Sequence, residues 1–330
     1  MEFLAEYGMF FAKLLTIVFV FLIVIVGGVI ISTRVKSGAE GHLDIKNINH
    51  KYENMNILLS SQILPKKEFK KSIKEIKDSH KKKEKQSKSG EILKRIFVLD
   101  FKGDIRASDV SSLREEITAI LTVASKNDEV VVLIESAGGT VHGYGLAASQ
   151  LKRLRNKNIQ LTVAVDKVAA SGGYMMACVA NKIIAAPFAI IGSIGVLAQI
   201  PNFNRLLKSH NIDFEQITAG EFKRTLTIFG ENTDKDRKKL QEELEDTHKL
   251  FKEFILENRN QIDIDKIATG EHWYGKQAIA LNLVDKLETS DDYLSAAAKD
   301  ADIYEINYIR KKTLSEKFIS FGAKLFNDLH

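Results

Sequence analysis

Val130–Ser136 reads VVVLIES, and Ala137-Gly138-Gly139 follows it at once. A run of β-branched residues with no polar alternation leaves no side for solvent, so it suits a strand buried on both faces of a parallel sheet. Parallel strands need long crossovers, usually helices, and one such strand commits its neighbourhood to an α/β fold. The flanking sequence alternates accordingly. IFVLDF (96–101) reads as a strand, Ser108–Ser125 as a helix, Tyr144–Arg155 as a helix and LTVAVD (161–166) as a strand. Gly172–Ala180 then reads as a helix, KIIAAP (182–187) as a strand and Asp234–Asn258 as a long helix with Thr233 as its N-cap.

Two glycine-rich turns follow apolar strands. At Gly138-Gly139 the turn presents backbone amides where they can hold a developing oxyanion, although a paired glycine is commonly plain turn chemistry. In AASGGYMMACVAN (Ala169–Asn181) a serine stands at the mouth of a helix, in a positive field, with the Gly172 amide beside it. Ser171 is either a simple N-cap or a nucleophile. Two such turns on neighbouring parallel strands favour acyl-transfer chemistry.

AASGGYMMACVANKIIA, the upstream SAGG turn, GSIGV (Gly192–Val196) and GEFKRT (Gly220–Thr225) together resemble the S49 peptidase family, of the signal peptide peptidase A type, over residues 94–290. The resemblance implies a ClpP/crotonase-type α/β fold and a Ser–Lys dyad that cuts apolar or membrane-associated peptides, such as remnant signal peptides. Carried over by motif, Ser171 resembles the nucleophile and Lys223 the general base. Ser193 resembles the hydroxyl that orients the lysine, and Gly138 and Gly172 the oxyanion-hole donors. A lysine is a base only when neutral, a state that burial favours. The chain departs from the family at Ala137, where proline is usual, and at Asn282, where a glycine often precedes Leu283–Asp285; Asn tolerates the left-handed region better than most residues.

Other chemistries have less to build on. A Ser–His reading would use His142 with Asp166 as its orienting acid. His248 and His272 read as structural or surface residues. No metal-site spacing and no phosphate-binding loop occur, so neither metal nor other cofactor is expected. Cys178, the single cysteine, reads as a small buried hydrophobe. Two further readings stay open: a crotonase-type acyl-CoA enzyme, which needs no serine nucleophile, and a catalytically silent membrane scaffold.

Leu14–Ile31 is eighteen residues without a charge, long enough to span a bilayer, and no small-residue cleavage site follows it. Residues 1–35 are therefore expected to anchor the chain as a single pass in the inner (plasma) membrane, with lipid meeting residues 10–32. Residues 36–93 read as a lysine-rich linker. Lys66–Lys88 holds eleven lysines against four acids, and Phe69, Ile73 and Ile76 recur at helical spacing. That is a local +7 in a chain of net +5, so the remainder is near −2 and nucleic acid is not an expected partner. The lysine block suits either solvent or an anionic lipid surface. The peptidase domain is expected over 94–290 and a helical tail over 291–330. Basic residues following the anchor favour a cytoplasmic catalytic domain, whereas the resemblance favours the periplasmic face. A single catalytic domain of this type is expected to form a closed homo-oligomer around peptide or protein substrates.

Overall fold

The computed structural model of the chain describes residues 8–22, 41–88 and 94–310. Contacts divide it into two units, Met1–Asp44 with Tyr308–His330, and Ile45–Asn307. In the first, residues 8–22 form helix α1, whose Phe10, Ile17 and Phe19 are exposed, and the Gly41 amide donates to the Tyr308 hydroxyl at 2.9 Å. Among the described residues no helix is long and apolar enough to cross a membrane. The expected span Leu14–Ile31 is helical as far as residue 22 and lies outside the described residues beyond it.

A ten-stranded sheet dominates the second unit. Its main path runs β1 (His42–Asn47), β10 (Asp302–Ile309), β2 (Arg95–Gly103), β3 (Glu129–Ser136), β4 (Gln160–Val165), β6 (Lys182–Ala185) and β9 (Lys286–Leu287). Pairing from β10 to β9 is parallel throughout. Strand alternation decides what each face buries. Phe97, Leu99 and Phe101 of β2, Val130, Val132 and Ile134 of β3, and Leu161, Val163 and Val165 of β4 turn to one face. Helices α4 (Val110–Val123), α5 (Val141–Asn156), α6 (Gly172–Ala177) and α8 (Asp234–Asn258) cover that face. Ile96, Val98, Val131, Ala164 and Ile184 turn to the other, against Ile48 of α2 (Ile48–Ile63) and Leu294 of α11 (Ser290–Ala297). Both faces are therefore dry, as the unbroken apolar run of β3 requires.

Two expectations are corrected. Residues 36–93, read as a lysine-rich linker with helical spacing at Phe69, Ile73 and Ile76, hold in their described part not only the helix α3 (Lys66–Lys88) but also β1 and α2. Asn49 explains the docking of α2. Its amide donates to the carbonyls of Ala298 and Ala301 at 3.0 and 2.9 Å and accepts from the Ile303 amide at 2.7 Å, a pattern invisible to hydrophobic periodicity. Among the described residues of the 291–330 tail, only the start is helical. Asp302–Ile309 is strand β10, in parallel register with β2 from Asp302↔Arg95 to Glu305↔Val98, and residues 311–330 lie outside the described residues.

One buried ion pair fastens the far edge. Arg259, at the C-terminus of α8 and 3% exposed, donates to both carboxylate oxygens of Asp285 at 2.8 and 3.0 Å and to the Asn282 carbonyl at 2.7 Å. Asp285 also accepts from the Ile183 amide at 2.6 Å. Asn282 sits at φ 57°, the left-handed conformation for which asparagine suits better than most side chains.

Candidate active site

Three short segments converge at the carboxyl ends of parallel strands, the usual place for a site in an α/β sheet. β5 (Val168–Ala170) lies between β3 and β7 (Ile190–Gly192), with Ser136 opposite Ala169 and Ala170 opposite Gly192. That register sets Ser171 and Ser193 side by side, each one residue beyond a paired strand end. The Gly138 turn leaves β3 on the other flank.

Ser171 has φ 50° and ψ −116°, a conformation costly for any residue with a Cβ. Its amide donates to the Gly192 carbonyl at 2.7 Å, which holds the turn, and its carbonyl accepts the Met175 amide at 2.9 Å, which starts α6. Its side chain makes no capping hydrogen bond, so the plain N-cap reading does not describe this serine. The Gly172 amide belongs to the first turn of α6, where an amide has no intrahelical acceptor. Gly138, at φ 92°, presses against this point. A Cβ placed on it would lie 2.7 Å from the Gly172 nitrogen, 2.7 Å from Ser171 Cβ and 2.8 Å from the Ala170 carbonyl oxygen. The Gly138 amide itself donates to Ser136 Oγ at 3.0 Å. What Gly138 contributes in this state is close backbone approach, with its donor already engaged.

Beneath the turn, Ser136 Oγ lies 2.5 Å from the hydroxyl of Tyr144, which donates to the Asp104 carbonyl at 2.8 Å. The Tyr144 ring fills the space beside Gly172, where an added Cβ would stand 2.3 Å from Tyr144 Cγ. Burial pushes the Tyr144 phenol up, so it stays a neutral donor. Ser136 and Tyr144 were missed as site residues by sequence reasoning: the serine lies in the motif and the tyrosine on the inner face of α5, but nothing along the chain pairs them.

Ser193, at φ 51°, donates its amide to the Glu271 carbonyl at 2.7 Å and its hydroxyl to the Gly270 carbonyl at 3.4 Å. Lys223 is exposed in an irregular stretch, its amide donating to the Gly220 carbonyl at 3.2 Å. Among the described residues no hydrogen bond joins Lys223 to Ser171 or Ser193. Residues 197–232 instead close on themselves. Asn202 donates to the carbonyls of Thr227 and Gly230, Asn204 donates to that of Phe229, and the Phe229 ring packs on Phe203 and Phe214.

Among the described residues the rival base has no orienting acid. Asp166 accepts from the amide and hydroxyl of Ser290, and His142 is exposed at the start of α5. Cys178 is fully buried, and burial pushes its thiol up to about 12, which suits a small hydrophobe and not a nucleophile. Among the described residues no group of three His, Cys, Asp or Glu side chains has the arrangement of a metal site.

Residues 2–151 match the family described as "Peptidase family S49 N-terminal", and residues 153–304 match "Peptidase family S49". A "Probable protease SohB" of Haemophilus influenzae is 53% identical over 327 residues, covering 96% of this chain and 92% of that one. The chain belongs to peptidase family S49. A second relative of the S49 chain, also named "Probable protease SohB", from Buchnera aphidicola subsp. Schlechtendalia chinensis, is 51% identical over 306 residues, covering 89% and 99%. "Protease 4" of Salmonella typhi is 28% identical over 203 residues and is covered over 31% of its length. Among solved structures, a mutant of the 1510-N membrane-bound stomatin-specific protease in complex with a substrate peptide aligns with TM-score 0.43 and 13% identity, over 69% of this S49 chain and 97% of that one.

Proposed function

We propose that this S49 peptidase is a membrane-anchored serine endopeptidase working through a Ser171–Lys223 dyad. The observation that carries the reading is the conformation of Ser171: a non-glycine residue at φ 50°, uncapped, at a helix N-terminus, with the backbone of Gly138 against it. Strain of this kind persists where the surroundings over-determine it, and here it leaves the hydroxyl out of the capping hydrogen bond it would otherwise make. Ser171 Oγ attacks the scissile carbonyl and gives its proton to neutral Lys223 Nζ. The oxyanion meets the Gly172 amide and the Gly138 turn, whose own amide shares its hydrogen between the oxyanion and Ser136 Oγ. Lys223 then protonates the departing amine, and water repeats the sequence on the acyl-enzyme. Ser193 accepts from Lys223 and fixes its direction.

Burial of Lys223 is supplied by assembly. In the isolated chain Lys223 is exposed, in a segment that also exposes Ile217, Phe222 and Ile228, and a second copy laid over this segment would dry it. We therefore extend the proposal to a closed homo-oligomer in which the serine and lysine of one centre come from neighbouring chains. The anchor is assigned to residues 10–32, in the inner membrane as a single pass, and the substrates to apolar or membrane-associated peptides such as signal-peptide remnants. The exposed α3 lysines would rest on anionic headgroups.

The test is hydrolysis of an apolar peptide by the detergent-solubilised full chain. Ser171→Ala and Lys223→Met should both abolish turnover with the fold intact, while His142→Ala should stay close to wild type. A Lys223→Met chain that remains active beside an inactive His142→Ala chain would refute the dyad.

A further inference from the structure

The hydroxyls below the Gly138 turn form a chain whose direction can be worked out. The Asp104 carbonyl can only accept, so the single proton of the Tyr144 hydroxyl is spent on it at 2.8 Å. In the 2.5 Å contact between Tyr144 and Ser136 the donor is therefore Ser136 Oγ–H. Ser136 Oγ keeps its lone pairs for the Gly138 amide at 3.0 Å. Three bonds thus run one way, from the Gly138 N–H through Ser136 and Tyr144 to the Asp104 carbonyl. Tyr144 and Ser136 are at most 2% exposed, so water has little access to compete for these groups.

Tyr144 also touches the other half of the site. Its ring occupies the volume a Cβ on Gly172 would need, and its hydroxyl the volume a Cβ on Gly103 would need, 2.3 Å away in each case. Phe101 packs edge-on against the same ring at 6.3 Å. One side chain therefore spans from the amide at the mouth of α6 to the turn opposite, and its hydroxyl fixes that turn through Ser136.

We propose that Tyr144 and Ser136 are positioning residues of the Ser171 centre, holding the Gly138–Gly139 turn at the spacing from the Gly172 amide that an oxyanion requires. The inference rests on the serine-peptidase reading above. Neither hydroxyl meets substrate in this arrangement, so their loss acts on the spacing of the hole and leaves the nucleophile in place. A displaced hole binds the tetrahedral state less well while the ground-state peptide is held as before.

The experiment uses the solubilised full chain, wild type beside Tyr144→Phe, Ser136→Ala and the double variant, with an apolar fluorogenic peptide and a peptide boronate as probes. Each single variant should lose on the order of ten- to a hundredfold in kcat with KM within about twofold, and boronate affinity should fall in parallel with kcat/KM. The double variant should be little worse than either single one, because the chain of bonds acts as a unit. Unchanged kcat and boronate affinity in Tyr144→Phe would overturn the proposal, as would a fall in thermal stability alone. Equal losses in KM and kcat/KM would overturn it too, since they place the hydroxyls in substrate binding. Wild type that fails to cleave the peptide, or whose labelling by a fluorophosphonate survives Ser171→Ala, would instead refute the serine-peptidase reading.

Discussion

Replacing Gly138 by alanine tests the geometry of the site at the point where two glycine turns meet. The residue sits at φ 92°, where a Cβ costs about 1–2 kcal/mol in backbone conformation alone. The new methyl would also stand 2.7 Å from the Gly172 nitrogen and from Ser171 Cβ, and 2.8 Å from the Ala170 carbonyl oxygen. Two of these are backbone atoms that cannot rotate away, and forcing a methyl into such packing costs about 1–3 kcal/mol. The sum is roughly 2–5 kcal/mol, and for a unit of this size about 2 °C of Tm accompanies each kcal/mol, so a fall of roughly 4–10 °C is expected. Activity should suffer more than stability, because relief of the clash moves the turn away from Ser171; a loss on the order of a hundredfold in kcat is expected. Gly145→Ala is the matched control. It lies inside α5, nothing approaches its Cβ position within 4 Å, and helix propensity predicts a gain of up to about 1 kcal/mol with activity unchanged. The assay is a thermal melt and peptide turnover on the three solubilised chains. A Gly138→Ala chain matching wild type in both would show that the turn does not press on Ser171 and would remove the structural basis of the site.

Further outcomes can be measured on the same material. Arg259→Met strands Asp285 without its partner and should cost about 3–5 kcal/mol, read as a lower Tm, and Asp285→Asn, which strands the more deeply buried guanidinium, should cost at least as much. Burial pushes the Asp285 carboxyl up, but Arg259 and the Ile183 amide outweigh it and leave it below the usual range; Glu129, held by Lys94, Thr162 and Tyr293, behaves alike. A lowered folded value contributes stability that is present above the unfolded value and lost as pH falls through the folded one, so Tm should hold down to about pH 4 and drop below it. A Tm that is flat to pH 2 (about two units below the ordinary carboxylate range) would refute this. Inactive Ser171→Ala and Lys223→Ala chains, mixed and allowed to exchange, should regain some turnover; no recovery together with a fully active monomer would sink the shared centre. In proteoliposomes of the full chain, hydrogen exchange over 66–78 should slow when anionic lipid is added to a neutral bilayer, and Lys70→Gln with Lys71→Gln and Lys74→Gln should remove that difference.

The parts of the fold that sequence revealed are those long enough to have a period. β2, α4, β3 and β4 carry their burial pattern in the order of their residues, and Thr233 announces α8 as its N-cap, to which the structure adds a capping box with Asp236. The site was assembled from pieces with no such length. β5, β7 and β8 (His272–Tyr274) are three residues each, too short to alternate meaningfully, yet the register of β5 between β3 and β7 is what sets Ser171 beside Ser193. Docking of α2 likewise depends on one asparagine whose partners lie some 250 residues away along the chain, at separations of 249 to 254. Side-chain pairing of that kind leaves no trace in a pattern of apolar positions.

Lys223 is the instructive case, because a motif assigned it and the geometry of one chain does not complete it. A base must be neutral to accept a proton, and neutrality in a lysine needs a dry environment. The segment 197–232 supplies the apolar material for such an environment but turns much of it outward: Leu197, Ile217 and Leu206 are more than half exposed although the stretch is closed by its own hydrogen bonds. A stretch that is ordered yet shows its apolar side chains to solvent has not satisfied the hydrophobic effect within one chain. The strained serine, by contrast, is already held by Gly192 and by the glycine turn opposite, with no help from outside. The proposed nucleophile and the proposed base therefore differ in how they depend on the fold. The first is built by the register of three strands, and under the proposed assembly the second becomes competent only when another copy covers it, which would keep an unassembled chain from cutting peptides.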